Sequence, residues 1–166
     1  MSVAANRYAK ALIEALPQEK AEAGYEQLKA FEAVLQSQNE AKRLFENPTV
    51  PPERRKTLAT SIGNALGFDV PLMNFVHLLI ERNRLGLLEE IVQSFEKLLD
   101  QRLGIIRASV TAAGPLDSAQ RERLESKLAT MTGKKVRMQV NVDPALVGGV
   151  IARVGGTIYD GSLRQQ

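Results

Sequence analysis

The sequence predicts an α+β fold: an N-terminal six-helix bundle over residues 1–104, then a small α/β C-terminal domain over residues 105–166 built on a short sheet. Three observations predict it. Apolar residues recur at three- and four-residue spacing through the first hundred positions, interrupted at Pro17, Asn47-Pro48, Gly67 and Asn83 to Gly86. Beyond Gly104 the pattern becomes a two-residue alternation, best seen in Lys135-Val136-Arg137-Met138-Gln139-Val140-Asn141-Val142. The charge changes too: residues 1–100 hold 12 Lys and Arg against 14 Asp and Glu, a balance of −2, while residues 101–166 hold 10 against 5, a balance of +5.

Each element has a local reason. Val3, Tyr8, Ala11, Leu12 and Ala15 give a first helix that stops at Pro17. Tyr25, Leu28, Phe31, Val34 and Leu35 form a stripe on a second, over residues 21–36. A short third helix over 40–45 ends at Asn47-Pro48, because the residue before proline resists helical geometry. Pro51-Pro52 suits the start of a fourth, which runs to Ala65 ahead of Gly67. Asp69 is placed to cap the fifth, with Pro71 in its first turn and Leu72, Val76, Leu79 and Ile80 along it. The sixth spans 87–103.

The β-rich run 105–111 then opens the second domain, Gly114-Pro115 turns the chain, and Asp117 caps a helix carrying Leu124, Leu128 and Met131 up to Gly133. The alternating strand 135–142 follows, and two further strands, 150–154 and 157–159, flank Gly155-Gly156, a favoured hairpin turn.

Composition excludes several functions. The chain has no cysteine, so it carries no disulfide or thiolate metal site, and one histidine, His77, does not make a metal centre. No apolar run approaches the roughly 20 residues that span a bilayer, and the opening residues lack the apolar core of a secretion signal. The stretch Leu146 to Ser162 is rich in glycine, yet it lacks the lysine of a P-loop and the spacing of a dinucleotide fingerprint. Those glycines read as backbone geometry. His77 lies on an apolar helical face and reads as a satisfied structural histidine. Ser162 has no partner histidine near it in sequence, and Arg54-Arg55-Lys56 and Lys134-Lys135 read as solvated surface. No catalytic residue, cofactor or metal is therefore expected. Binding is the class that remains, and helical bundles receive a partner's amphipathic helix in a groove. The competing reading is a small basic RNA-binding helical module, prompted by a pI near 9.3. The acidic N-terminal half argues against it, as does the lack of strand aromatics for base stacking: Tyr159 is the sole aromatic after Phe95.

Several motifs occur in order along the whole chain. They are Asn6-Arg7-Tyr8-Ala9-Lys10-Ala11-Leu12, Asn47-Pro48, Leu78-Leu79-Ile80-Glu81-Arg82-Asn83-Arg84-Leu85, Val110-Thr111-Ala112-Ala113 with Gly114-Pro115-Leu116, and Gly133-Lys134-Lys135-Val136. The most specific is the run from Val142 through Asp143, Pro144, Gly148, Gly149 and Arg153 to Gly155, closed by Asp160-Gly161-Ser162. Together they resemble the delta subunit family of bacterial F-type ATP synthase, the counterpart of the mitochondrial oligomycin-sensitivity-conferring protein. Gly156 stands where that family often has an acidic residue, and family members usually continue past the position of Gln166 as a helix.

The resemblance implies a non-catalytic stator subunit of the peripheral stalk, which links the alpha/beta catalytic head to the membrane-anchored b subunits so that proton-driven rotation is coupled to ATP synthesis. It implies peripheral placement on the cytoplasmic face of the bacterial cell membrane, with membrane contact only through partners and no nucleic acid. It also implies that the bundle grips the N-terminal helix of an alpha subunit between its first and fifth helices and that the C-terminal domain holds the b subunits. The candidate groove residues are Tyr8, Ala11, Leu12 and Ala15 on one wall and Phe75, Val76, Leu79 and Ile80 on the other, with the small alanines best suited to close approach. The signature residues Asp143, Pro144, Gly148, Gly149, Arg153, Gly155, Asp160 and Gly161 are expected to serve structure.

Overall fold

The computed structural model describes residues 2–161, so Ser162 and the residues after it lie outside the described chain. Seven α-helices and a four-stranded sheet form among the described residues. The chain divides into two compact units, Met1–Leu99 and Asp100–Gln166. That division falls in the last turn of the sixth helix, just ahead of the change of pattern at Gly104.

In the helix-rich N-terminal region, α1 (Val3–Ala15) starts on Ser2, whose hydroxyl accepts from the Ala5 amide at 3.2 Å, and ends where Leu16 turns extended before Pro17. A 3₁₀ turn, Gln18–Lys20, leads into α2 (Ala21–Ser37). The short α3 (Asn39–Glu46) stops at Asn47, whose side-chain oxygen accepts from the Thr49 amide and hydroxyl and turns the chain through Pro48. Next comes α4 (Pro52–Ala65), with proline at its first position, where a missing N–H removes no helical bond. The apolar α5 (Val70–Glu81) follows, then a 3₁₀ turn, Leu85–Leu87, and α6 (Leu88–Leu103).

Leu12, Leu28, Phe31, Leu72, Val76, Leu79, Ile80, Ile91 and Phe95 are buried. The Phe31 ring packs against Phe45 and Phe68, and Tyr25 stacks on Phe95 at 6.1 Å.

Three expectations need correction here. The α1 stripe is rotated: Ala5, Ala9, Leu12, Ile13 and Leu16 are buried, whereas Val3 is 79% exposed and Ala11 and Ala15 face outward. Alanine occurs on both faces of this helix, so its spacing does not tell inside from outside. Asp69 sits at the N-cap of α5 but makes no capping bond; its carboxylate accepts from Lys20 Nζ at 2.8 Å instead. Arg55 is not solvated but 5% exposed. Its guanidinium donates to the Val50 carbonyl at 3.2 Å and to Asn83 Oδ1 at 3.0 Å, which satisfies its burial.

In the C-terminal unit, β1 (Ile105–Ala112) and β2 (Lys135–Val142) pair in parallel, with α7 (Ser118–Thr132) as the crossover between them. Antiparallel β3 (Val150–Val154) lies on the other side of β1, and β4 (Thr157–Asp160) pairs with β3, giving the order β2-β1-β3-β4. Alternation sends Ala108, Val110, Val136, Ala152 and Val154 to one face, where Leu128 of α7 completes a small core. Met131, expected on the same stripe, is half exposed at the helix end.

Asp117 and Gln120 form a reciprocal capping box, each side chain accepting from the other's amide at 2.7 and 3.0 Å. Of the pair Gly155-Gly156 only Gly155 takes positive φ, +60°, as in hairpin turns that need glycine at their first central position. Gly148 and Gly149, at +71° and +75°, are the other signature glycines in this conformation, immediately before β3.

Candidate functional site

The surface feature that best fits a binding role is a cleft of about 420 Å³ between α1 and the C-terminal end of α5. From α1 it is lined by Ala4, Arg7, Tyr8 and Ala11, which recur at helical spacing on one stripe, and from the other side by Leu78, Arg82 and Arg84. Its floor is apolar and low. Ala11 is exposed, Ala4 and Tyr8 are half-buried, and Leu78 is 37% exposed on the outer face of α5. The Tyr8 ring meets Phe75 edge-on at 6.4 Å, which fixes it as a wall of the cleft.

The expected residues separate into two groups. Tyr8 and Ala11 line the cleft, and Ala15 is exposed on α1 but outside the lining. Leu12, Phe75, Val76, Leu79 and Ile80 lie in the core, each 7% exposed or less. An apolar run on α5 supplies the core first, and only the residue that falls outside the buried arc, Leu78, reaches the cleft. Arg7, Arg82 and Arg84 escape a reading that looks for apolar residues alone, and Ala4 and Leu78 were not among the expected groove residues. The sequence signal for Ala4 and Arg7 was their i, i+3 and i+7 relation to Ala11.

The rim is set by the end of α5. Asn83 adopts φ +52°, a left-handed helix terminus, while the Arg84 amide donates to the Leu79 carbonyl at 2.8 Å and the Asn83 amide to Ile80 at 3.1 Å. Buried Arg55 holds the Asn83 side chain, so the turn presenting Arg82 and Arg84 is locked from below. Nearby, Lys56 pairs with Glu81; that hydrogen bond and charge lower the Glu81 pKa. His77 Nε2 lies 2.9 Å from the Thr60 hydroxyl, which itself donates to the Lys56 carbonyl, so the histidine is a satisfied member of this packing.

The second unit offers a cavity of about 500 Å³ between the β1–α7 loop, α7 and the start of β3. Its lining includes Ala112, Pro115, Leu116, Leu124 and Val150, with Arg123 and Lys127 on α7. The signature residues lie around the turns that shape it. Gly149 is part of the lining, and Asp143 donates its amide to the Ala112 carbonyl at 2.8 Å and accepts from the Ala145 amide at 2.9 Å, fixing the turn at Pro144. The Gly161 amide closes the β3–β4 hairpin on Val150. Asp160 lies opposite Ile151, and Arg153 is exposed on β3. No group of His, Cys, Asp and Glu suited to a metal occurs among the described residues.

A family model for the ATP synthase delta (OSCP) subunit matches residues 4–166, nearly the whole chain. The chain belongs to the ATP synthase delta (OSCP) family. Curated relatives agree. An ATP synthase subunit delta of Anaeromyxobacter sp. (strain Fw109-5) is 38% identical over 100% of this chain and 93% of its own. That of Geobacter sp. (strain M21) is 37% identical over 98% and 91%, and that of Myxococcus xanthus (strain DK1622) 38% over 98% and 91%. Among solved structures, a chain of the Toxoplasma gondii mitochondrial ATP synthase hexamer matches with a TM-score of 0.68 over 99% of this chain and 93% of its own, at 17% identity, a likeness of fold. The protein is a non-catalytic, structural subunit of the peripheral stalk of the F-type ATP synthase. No helix among the described residues is long and apolar enough to cross a membrane, and peripheral association with the membrane-bound enzyme is consistent with that.

Proposed function

We propose that the protein acts as a two-ended clamp. The N-terminal region, taken as a bundle of α1 to α6, receives the N-terminal helix of an alpha subunit, and residues 105–166 hold the end of the stalk b subunits on the cytoplasmic face of the membrane. The observation that carries this reading is the α1–α5 cleft. Its floor of Ala4, Ala11 and Leu78 admits another helix closely, and Tyr8 supplies an aromatic wall. The core residues beneath keep the two walls at fixed separation, which is what a stator resisting torque requires. The apolar cavity beside α7, with Arg123 and Lys127 on it, supports a second docking place in the basic unit.

Ala11 provides the test. It is exposed, so Ala11→Trp leaves the helix face beneath it intact while filling the cleft. A strain of about 1–3 kcal/mol is expected, roughly tenfold to a hundredfold in affinity for a peptide of the enzyme's own alpha-subunit N-terminus. Unchanged affinity in calorimetric titration removes the cleft from the interface. For the other end, b-subunit binding should weaken as salt rises from about 0.05 to 0.5 M, because exposed charge pairs are screened. Indifference to salt contradicts a role for the basic surface there.

A further inference from the structure

Three arginines converge on the α1–α5 cleft, Arg7 from α1 and Arg82 and Arg84 from the end of α5, and no carboxylate lines it. The concentration is local: residues 1–100 carry a balance of −2, so the cleft is a basic site on a net acidic stretch of chain. Glu81 feels the charge of Arg82, yet its hydrogen bond goes elsewhere. Glu81, the acid next to Arg82 in sequence, is engaged by Lys56, and no ion pair to Arg7, Arg82 or Arg84 forms among the described residues. Nor are the arginines loosely placed, because Arg82 and Arg84 flank the left-handed Asn83 that buried Arg55 holds.

An apolar floor one helix wide with arginines around it specifies more than an amphipathic helix. We infer that the occupant of this cleft is an acidic amphipathic helix, whose carboxylates flank its apolar stripe and pair with Arg7, Arg82 and Arg84 while small apolar residues settle on Ala4, Ala11 and Leu78. This rests on the reading that the cleft receives the alpha-subunit N-terminal helix, and it adds the chemistry of recognition. The apolar floor gives affinity to any helix of the right width; the arginines select among helices and fix the register, since a guanidinium binds a carboxylate with directional, two-pronged geometry. A helix bearing Lys or Arg at those positions is rejected by like charge.

The test uses the full chain and fluorescently labelled peptide of the enzyme's own alpha-subunit N-terminus, with an amidated version in which every Asp and Glu becomes Asn and Gln. Arg7→Gln, Arg82→Gln and Arg84→Gln are made singly and together; all three side chains are exposed, and unchanged thermal melting checks that the fold is kept. The triple variant should bind the native peptide about tenfold or more weakly at low salt and lose most of the salt dependence of the wild type. The amidated peptide should bind wild type and triple variant alike, both weakly. If the native peptide binds wild type and triple variant equally, or the amidated peptide binds as tightly as the native one, the inference falls while the docking reading stands. If the native peptide does not bind the wild type at all, both fall.

Discussion

The two units are built from opposite materials. The N-terminal region is net acidic, builds a large core from whole apolar faces of α5 and α6, and leaves a narrow basic cleft on its surface. The C-terminal unit is net basic, buries only a thin layer between one helix and a four-stranded sheet, and carries its cations across exposed strand positions such as Lys135, Arg137 and Arg153. The contrast teaches that net charge is a poor guide to where cationic side chains gather around an apolar surface. The unit with the unfavourable overall sign for an acidic ligand has the more sharply defined cationic site, because three arginines around an apolar floor act locally, within a Debye length of about 10 Å.

The contrast in cores can be broken most forcefully by truncation. Leu79 is fully buried beneath the cleft, and Leu79→Ala should cost about 2–5 kcal/mol in denaturant unfolding. Val110, equally buried in the sheet, loses less side chain on truncation. Val110→Ala should therefore cost less, on the scale of about 0.8 kcal/mol for each buried carbon removed plus a cavity contribution. An equal or larger loss at Val110 would show that the thin core is packed as tightly as the thick one. A Leu79→Ala protein that melts normally but fails to bind the alpha peptide would return Leu79 to the interface.

How much of this was legible in the sequence follows the same division. Element positions were, because prolines, the Asp117 cap and the strict alternation of 135–142 are local signals that tertiary packing did not overrule. Five of the candidate groove residues, Leu12, Phe75, Val76, Leu79 and Ile80, are buried, because apolar periodicity reports burial and does not separate core from interface. Arg55 was misread because a run of cations looks like solvent-facing surface, and the partner that makes its burial tolerable, Asn83, is distant in sequence. Asp69 was misread because an N-cap position and a lysine across space compete for the same carboxylate, and Lys20 wins. The three cleft arginines come from two stretches that no linear pattern joins.

A smaller effect separates the units by how their helices begin. In the basic unit, α7 starts on a complete capping box, so Asp117→Ala should cost about 1 kcal/mol and lower the midpoint of denaturation without changing its slope. Asp117→Asn keeps an acceptor and should lose much less. A full loss with asparagine would assign the effect to charge at the helix N-terminus rather than to the hydrogen bond.

The smallest expected effect is on acid dependence, and it lies at the start of α1. The Ser2 amide donates to Glu90 Oε2 at 2.5 Å, tying the start of α1 to α6 across 88 residues of sequence. That hydrogen bond is the main cause that lowers the Glu90 pKa below its ordinary 4.5, and the Ser2 hydroxyl adds to it. A carboxylate whose pKa is lower folded than unfolded stabilises the fold above its unfolded value, and loses that contribution as pH falls through the folded one. Glu90 should therefore support stability at neutral pH and stop doing so as acidification proceeds below about pH 4.5. Glu90→Gln removes the charge but keeps an acceptor, so it should lower the melting temperature slightly at pH 7 and flatten the slope of stability against pH only below that value. Because Glu90 lies at the surface, screening should shrink the difference at high salt. Identical acid slopes for Glu90→Gln and wild type would mean that the link from α1 to α6 is already broken in solution, and that the cleft wall on α1 is held by core packing alone.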